Sequence, residues 1–172
     1  MKKITLIAAA LLLATGAMAQ NQPQFGIKGG LNMASEMADD GQTESRVGIH
    51  LGFFMEAKIA RMIDFQPEIL YSMQGGGGDE LDYINVPLMF KFYTGQARRF
   101  SIDAGPQLGY MIRANYLYDY VNKFDAALGV GVSYKFNGGL DIGFRVAVSG
   151  TPILDGYSQT NAVSQLGVGY RF

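Results

Sequence analysis

The chain has no cysteine, which excludes a disulfide framework, a thiol nucleophile and a thiolate metal site. Its single histidine, His50, excludes a multi-histidine metal centre. Tryptophan is absent, and charged residues make up only 17% of 172 positions. Neither sign of charge dominates, with 14 Lys+Arg against 15 Asp+Glu. Nothing in that balance resembles a nucleic-acid binder. Mean hydropathy is +0.07, too low for a bundle of membrane helices. What the chain does have is 48% hydrophobic residues, 23 Gly, 10 Tyr and 11 Phe. That apolar content argues against disorder, and the mix favours strands and tight turns.

The first residues have the layout of a secretory signal peptide. Lys2 and Lys3 form a positive start, Ile4 to Thr15 is apolar, and Ala17-Met18-Ala19 fits the small-x-small cleavage pattern. Residues 1–19 are expected to be removed, leaving one domain over 20–172 that begins at Gln20. The apolar stretch falls short of the ~18 residues of a spanning helix. No cysteine follows the cleavage site, so a lipid anchor is not expected. No later apolar run approaches spanning length, so membrane residence would have to use strands.

Period-two alternation dominates the rest. Phe100, Ile102, Ala104, Pro106, Leu108, Tyr110 and Ile112 alternate with Ser101, Asp103, Gly105, Gln107, Gly109, Met111 and Arg113. The segments 122–136, 140–149 and 165–172 repeat the pattern, and four earlier segments follow it less cleanly. Eight strands are expected. The connections alternate in length. Those at 35–45, 75–81, 114–121 and 150–161 are long and polar, whereas those at 60–61, 95–98 and 137–138 are short. Asn137-Gly138 is a strong hairpin signal. This is an all-β, eight-stranded, antiparallel up-and-down barrel, with both termini at the short-turn end.

Alternation alone does not identify the surroundings. A soluble lipocalin-like carrier would point its apolar face inward. Two features favour a transmembrane barrel with a polar lumen. The polar face is rich in glycine, which weakens a wetted strand but makes room in a crowded interior. It also carries near-balanced ions: Lys28, Lys58, Lys91, Lys135, Arg145 and Arg171 beside Glu56, Asp64, Glu68, Asp103, Asp125 and Asp141. Buried charges need partners, and this set permits pairing as a structural lumen network. The apolar face would meet outer-membrane lipid. Phe25, Phe92, Tyr93, Phe100, Tyr134, Phe136, Tyr170 and Phe172 could form an interfacial girdle.

The order of Phe25-Gly26-Ile27-Lys28-Gly29-Gly30-Leu31-Asn32, Gln66-Pro67-Glu68-Ile69-Leu70-Tyr71-Ser72, Asn85-Val86-Pro87-Leu88, Ala104-Gly105-Pro106-Gln107-Leu108-Gly109-Tyr110 and Gln165-Leu166-Gly167-Val168-Gly169-Tyr170-Arg171-Phe172 resembles the PorT-like outer-membrane β-barrel family. The resemblance implies an eight-stranded barrel in a Gram-negative outer membrane. It implies that Tyr170 and Phe172 resemble the signal read by the barrel-assembly machinery during biogenesis. It links some relatives to protein export and carries no catalytic residues.

No cofactor, metal or catalytic set is expected. His50 has no second histidine and no GxSxG companion, so a polar core role outweighs an esterase role. The acids Glu36, Asp39, Asp40 and Glu44 lack calcium-loop spacing. Gly75-Gly76-Gly77-Gly78 lacks the Lys-Ser/Thr of a phosphate loop. Tyr116, Tyr118 and Tyr120 could contact a partner or a sugar chain, or serve as an interfacial aromatic cluster. Pro67, Pro87 and Pro106 fall inside successive strands, where bulges or local widening are expected. The reading is a non-enzymatic barrel with an envelope-structural, surface-interaction or secretion-supporting role through its four loops. The alternatives are a soluble periplasmic carrier of an apolar ligand and a narrow pore.

Overall fold

The structure is a computed structural model that describes residues 22–37, 43–74, 81–114, 123–150 and 160–172. The expected signal peptide and the tyrosines at 116, 118 and 120 lie outside those residues. Alternation produces eight strands: β1 (Gln24–Met37), β2 (Thr43–Ala60), β3 (Ile63–Gln74), β4 (Leu81–Tyr93), β5 (Phe100–Ala114), β6 (Phe124–Lys135), β7 (Leu140–Ser149) and β8 (Thr160–Arg171). Each pairs antiparallel with the next, and β1 also pairs with β8, from Gly26↔Arg171 to Met37↔Thr160. Closure leaves no strand edge unpaired. The short connections and both ends of the barrel chain lie at one end, here called the turn end.

The side chains sort by face. On β5, Ser101, Asp103, Gly105, Gln107, Gly109 and Met111 are buried, while Ile102, Pro106, Tyr110 and Ile112 are exposed. Leu128 (62% exposed), Val130 (52%) and Phe144 (46%) all point outward. Apolar residues therefore cover the exterior and polar ones fill the middle. That inversion excludes the lipocalin-like reading, which needs an apolar interior. It suits strands standing in hydrocarbon, where every backbone group must be paired within the barrel. Roughly 11 residues tilted about 40° cover the ~25 Å apolar band of such barrels.

Three expectations are corrected. The strands reach further at the loop end than patterning suggests: residues 35–37, 43–45, 81, 114, 160 and 161 belong to strands. Polar residues on both faces hide such extensions, because pairing continues after the apolar alternation stops. Of the two effects expected at the prolines, a bulge or local widening, the bulge is absent. Register shifts fall instead at Lys58/Ala60 and at Asp82/Tyr83. At the prolines the ladder lapses while the register holds, because each removes a donor without adding a residue. Pairing skips from Phe54↔Glu68 to Ala57↔Phe65, from Pro67↔Leu88 to Leu70↔Asn85, and from Pro87↔Gln107 to Phe90↔Ala104. Finally, Tyr93 is buried and faces inward, so it does not join the girdle. Phe25, Phe92, Phe100, Phe136, Tyr170 and Phe172 are exposed at the turn end.

Candidate functional site

The candidate site is the lumen, built by inward-facing positions of nearly every strand. At its centre Glu68 of β3 lies between two cations. Arg145 of β7 donates from Nη1 to Oε2 (3.0 Å) and from Nη2 to Oε1 (2.6 Å). Lys28 of β1 donates to the same carboxylate at 3.2 and 3.4 Å, and Gln66 Nε2 donates to Oε1 at 2.8 Å. Glu68 on β3 and Arg145 on β7 stand four strands apart on opposite sides of the wall, with Lys28 on β1 midway between them, so the cluster bridges the tube. Two-pronged guanidinium–carboxylate pairing is strong and geometrically specific.

A second cluster joins β4, β5 and β6. Lys91 Nζ donates to Asp103 Oδ2 (3.2 Å) and to Ser133 Oγ (2.7 Å). Ser101 donates to Asp103 Oδ1 (2.6 Å) and Ser133 to Asp103 Oδ2 (2.9 Å). A third cluster lies at the turn end. Lys135 donates to Glu56 and stands 3.6 Å from Asp64. Arg98 donates to Asp64. Arg171 Nη1 donates to Asp141 Oδ2 at 3.1 Å and lies 3.5 Å from Glu56. Arg98 and Lys135 lie over the Tyr93 ring, 4.4 and 4.6 Å from its centre.

On the loop-end side of the central cluster lies an uncharged network around Asn32, and beyond it Asp82 is buried on β4, accepting from Tyr71 OH at 2.8 Å. Asn32 Nδ2 donates to Ser72 Oγ (2.7 Å), Met73 O (3.1 Å) and Ile49 O (3.2 Å). Two backbone carbonyls among these partners fix which end of the amide is nitrogen. Asn32 Oδ1 must then accept from His50 Nδ1 at 2.8 Å and from Gln165 Nε2 at 3.1 Å. His50 Nδ1 therefore carries its proton. The ring sits where two strands lack side chains. A Cβ on Gly167 would meet His50 Nε2 at 2.9 Å, and one on Gly30 would meet His50 Cε1 at 2.8 Å. The glycines thus make room for the imidazole, as the glycine-rich face suggests. The void bordered by Lys28, His50, Lys91, Asp103 and Arg145 is only about 10 Å³, space for about one water.

Among the twelve ions read from the sequence, Glu56, Asp64, Glu68, Lys91, Asp103, Asp141, Arg145 and Arg171 are buried, and Lys28 and Lys135 are half-buried within the clusters. Asp125, half-buried near the loop end, accepts from Ser149 Oγ. Lys58 is a correction. It stands opposite Asp64 in the ladder but is exposed beside the register shift at the end of β2, so it belongs to the rim. Arg98 was missed. It sits in the β4–β5 turn at φ 49°, where strand parity gives no signal.

A closed antiparallel barrel with an apolar belt outside and paired ions inside defines the outer-membrane barrel class. The family model described as "Outer membrane protein beta-barrel domain" matches residues 18–154, and the chain belongs to that family and to the outer membrane. No curated protein matches by sequence. Among solved structures the chain is similar to Ail, the attachment invasion locus protein of Yersinia pestis, at 14% identity. That match covers 87% of this chain and 98% of that one, with a TM-score of 0.56. It is also similar to Neisserial surface protein A, at 18% identity, 86% and 97% coverage and a TM-score of 0.55. At these identities the likeness concerns the fold alone.

Proposed function

We propose that this protein is a closed, non-enzymatic envelope barrel whose filled lumen serves as an internal brace. Its longer connections, 35–45, 75–81, 114–121 and 150–161, then form the end that meets a partner outside the cell, with the short turns in the periplasm. The observation that carries this reading is the Lys28–Glu68–Arg145 cluster spanning the tube beside a void of only about 10 Å³. An eight-stranded wall encloses little more than its own side chains. The motif order that resembles the PorT-like family favours a partner connected with protein export.

Planar-bilayer recording with the purified barrel tests the brace. We expect no discrete conductance steps in the wild type. Regular steps of constant size would overturn the closed-lumen reading and favour the narrow pore. Protease added to intact cells tests the orientation: cleavage should fall only within the four long connections, and cleavage in the short turns would reverse it.

A further inference from the structure

We propose that the turn-end mouth of the barrel is a binding site for phosphate-class oxyanions. This goes beyond the brace and does not depend on it. A cavity of about 540 Å³ opens there, within the size range of small-ligand sites. Four cations from three separate chain segments line it: Arg98 and Arg99 from the β4–β5 turn, Lys135 from the end of β6 and Arg171 from the end of β8. The carboxylates that answer them, Glu56, Asp64 and Asp141, are buried on the lumen side. Lys58 and Arg61 stand exposed at the same end, outside the cavity. Positive charge therefore exceeds negative there among the described side chains.

Three of the lining cations are held before any ligand arrives. Lys135 and Arg171 are bonded to acids. Arg98 occupies the left-handed backbone region at φ 49°, which an arginine adopts only when its surroundings hold it. Its N–H donates to Gly95 O at 2.8 Å, its guanidinium donates to Asp64, and its side chain lies over Tyr93. Prior ordering lowers the cost of binding. Arg99 supplies the open hand. Among the described residues its guanidinium meets no carboxylate, and Nη2 donates to Asn137 Oδ1 at 3.2 Å. A guanidinium has five donors in a fork that matches phosphate oxygens, and Arg99 brings this fork to the cavity wall with no anionic partner among the described residues. The shared ligand chemistry is a phosphate group, either free in solution or on a lipid headgroup.

The test is a calorimetric titration of the full-length folded barrel with inorganic pyrophosphate in a neutral sugar-headgroup detergent. Saturable binding is expected. Arg99→Gln should weaken it roughly tenfold, the effect of losing a charge-assisted hydrogen bond. Arg99→Lys, which keeps the charge but loses the fork, should fall between the two. Arg61→Gln removes the same charge from the same end outside the cavity and should leave binding nearly unchanged. Absence of saturable binding overturns the proposal, as does an equal loss in Arg61→Gln, which would indicate a diffuse basic surface only. Repeating the titration in nanodiscs containing phosphatidylglycerol separates the two sources. Competition by the lipid assigns a headgroup, and unchanged affinity assigns a soluble phosphate.

Discussion

Glu68 and Arg145 meet across the inside of the barrel, from β3 to β7, through two hydrogen bonds of 2.6 and 3.0 Å. Glu68 also takes Lys28, so one carboxylate serves two cations. Glu68→Gln should leave both unanswered in a dry setting. We expect a loss of about 3–5 kcal/mol, typical of a buried pair stripped of one partner. Arg145→Met leaves the Lys28–Glu68 pair intact and should cost less. With no tryptophan in the chain, unfolding in phospholipid vesicles can be followed by urea titration read as gel mobility without boiling. An equal or larger loss for Arg145→Met would contradict the shared-carboxylate account.

Gly167 and Gly30 both border His50 but differ in what else surrounds them. A Cβ on Gly167 would meet mainly the movable imidazole, whereas one on Gly30 would stand 2.0 Å from Leu166 O and 2.6 Å from the Gly167 Cα. Gly167→Ala should therefore be mildly destabilising and should be rescued by His50→Ala. Gly30→Ala should cost more and resist that rescue, because backbone cannot step aside. Overpacking of this kind typically costs about 1–3 kcal/mol. Urea midpoints of the three single and two double variants check the ordering.

Val130 sits near the middle of β6 on the exposed apolar face. Val130→Lys should cost about 2–4 kcal/mol in lipid, and Leu140→Lys, at the turn end of β7, about 0–1 kcal/mol. Reversible unfolding from vesicles measures both. Equal costs would mean that Val130 does not lie in the hydrocarbon.

Phe172 is 74% exposed and packs edge-on against Tyr170, with centroids 6.1 Å apart. Nothing inside the barrel depends on it. Phe172→Ser should lower the amount of folded, heat-shifting protein in cells while leaving refolding yield in pure detergent unchanged. A parallel drop in both would mean a stability effect and would remove the assembly-signal reading.

Alternation carried most of the fold, because period two is itself the geometry of a wall with two different sides. Asp103, Lys91 and Arg145 could be placed inward from parity alone, and glycine on the same face indicated a crowded interior. Partner choice could not be read that way. Lys28, Glu68 and Arg145 come from three strands distant in sequence, and only closure and stagger of the barrel bring them together. Lys58 failed because parity breaks down at a strand end, where the ladder shifts between Lys58 and Ala60. Arg98 lay outside any strand pattern, and its inward reach depends on an unusual turn backbone. The prolines were correctly singled out, but their effect was a lapse in pairing with the register kept.

Those lapses fall on three adjoining seams, between β2 and β3, β3 and β4, and β4 and β5, whereas the other five seams are laced throughout. The cylinder is thus unevenly stitched. One side has consecutive weak points near Pro67, Pro87 and Pro106, and the opposite side has none. Solvent deuterium should enter amides beside those prolines first, and mechanical or thermal breathing should start along that oblique line and spread outward from it.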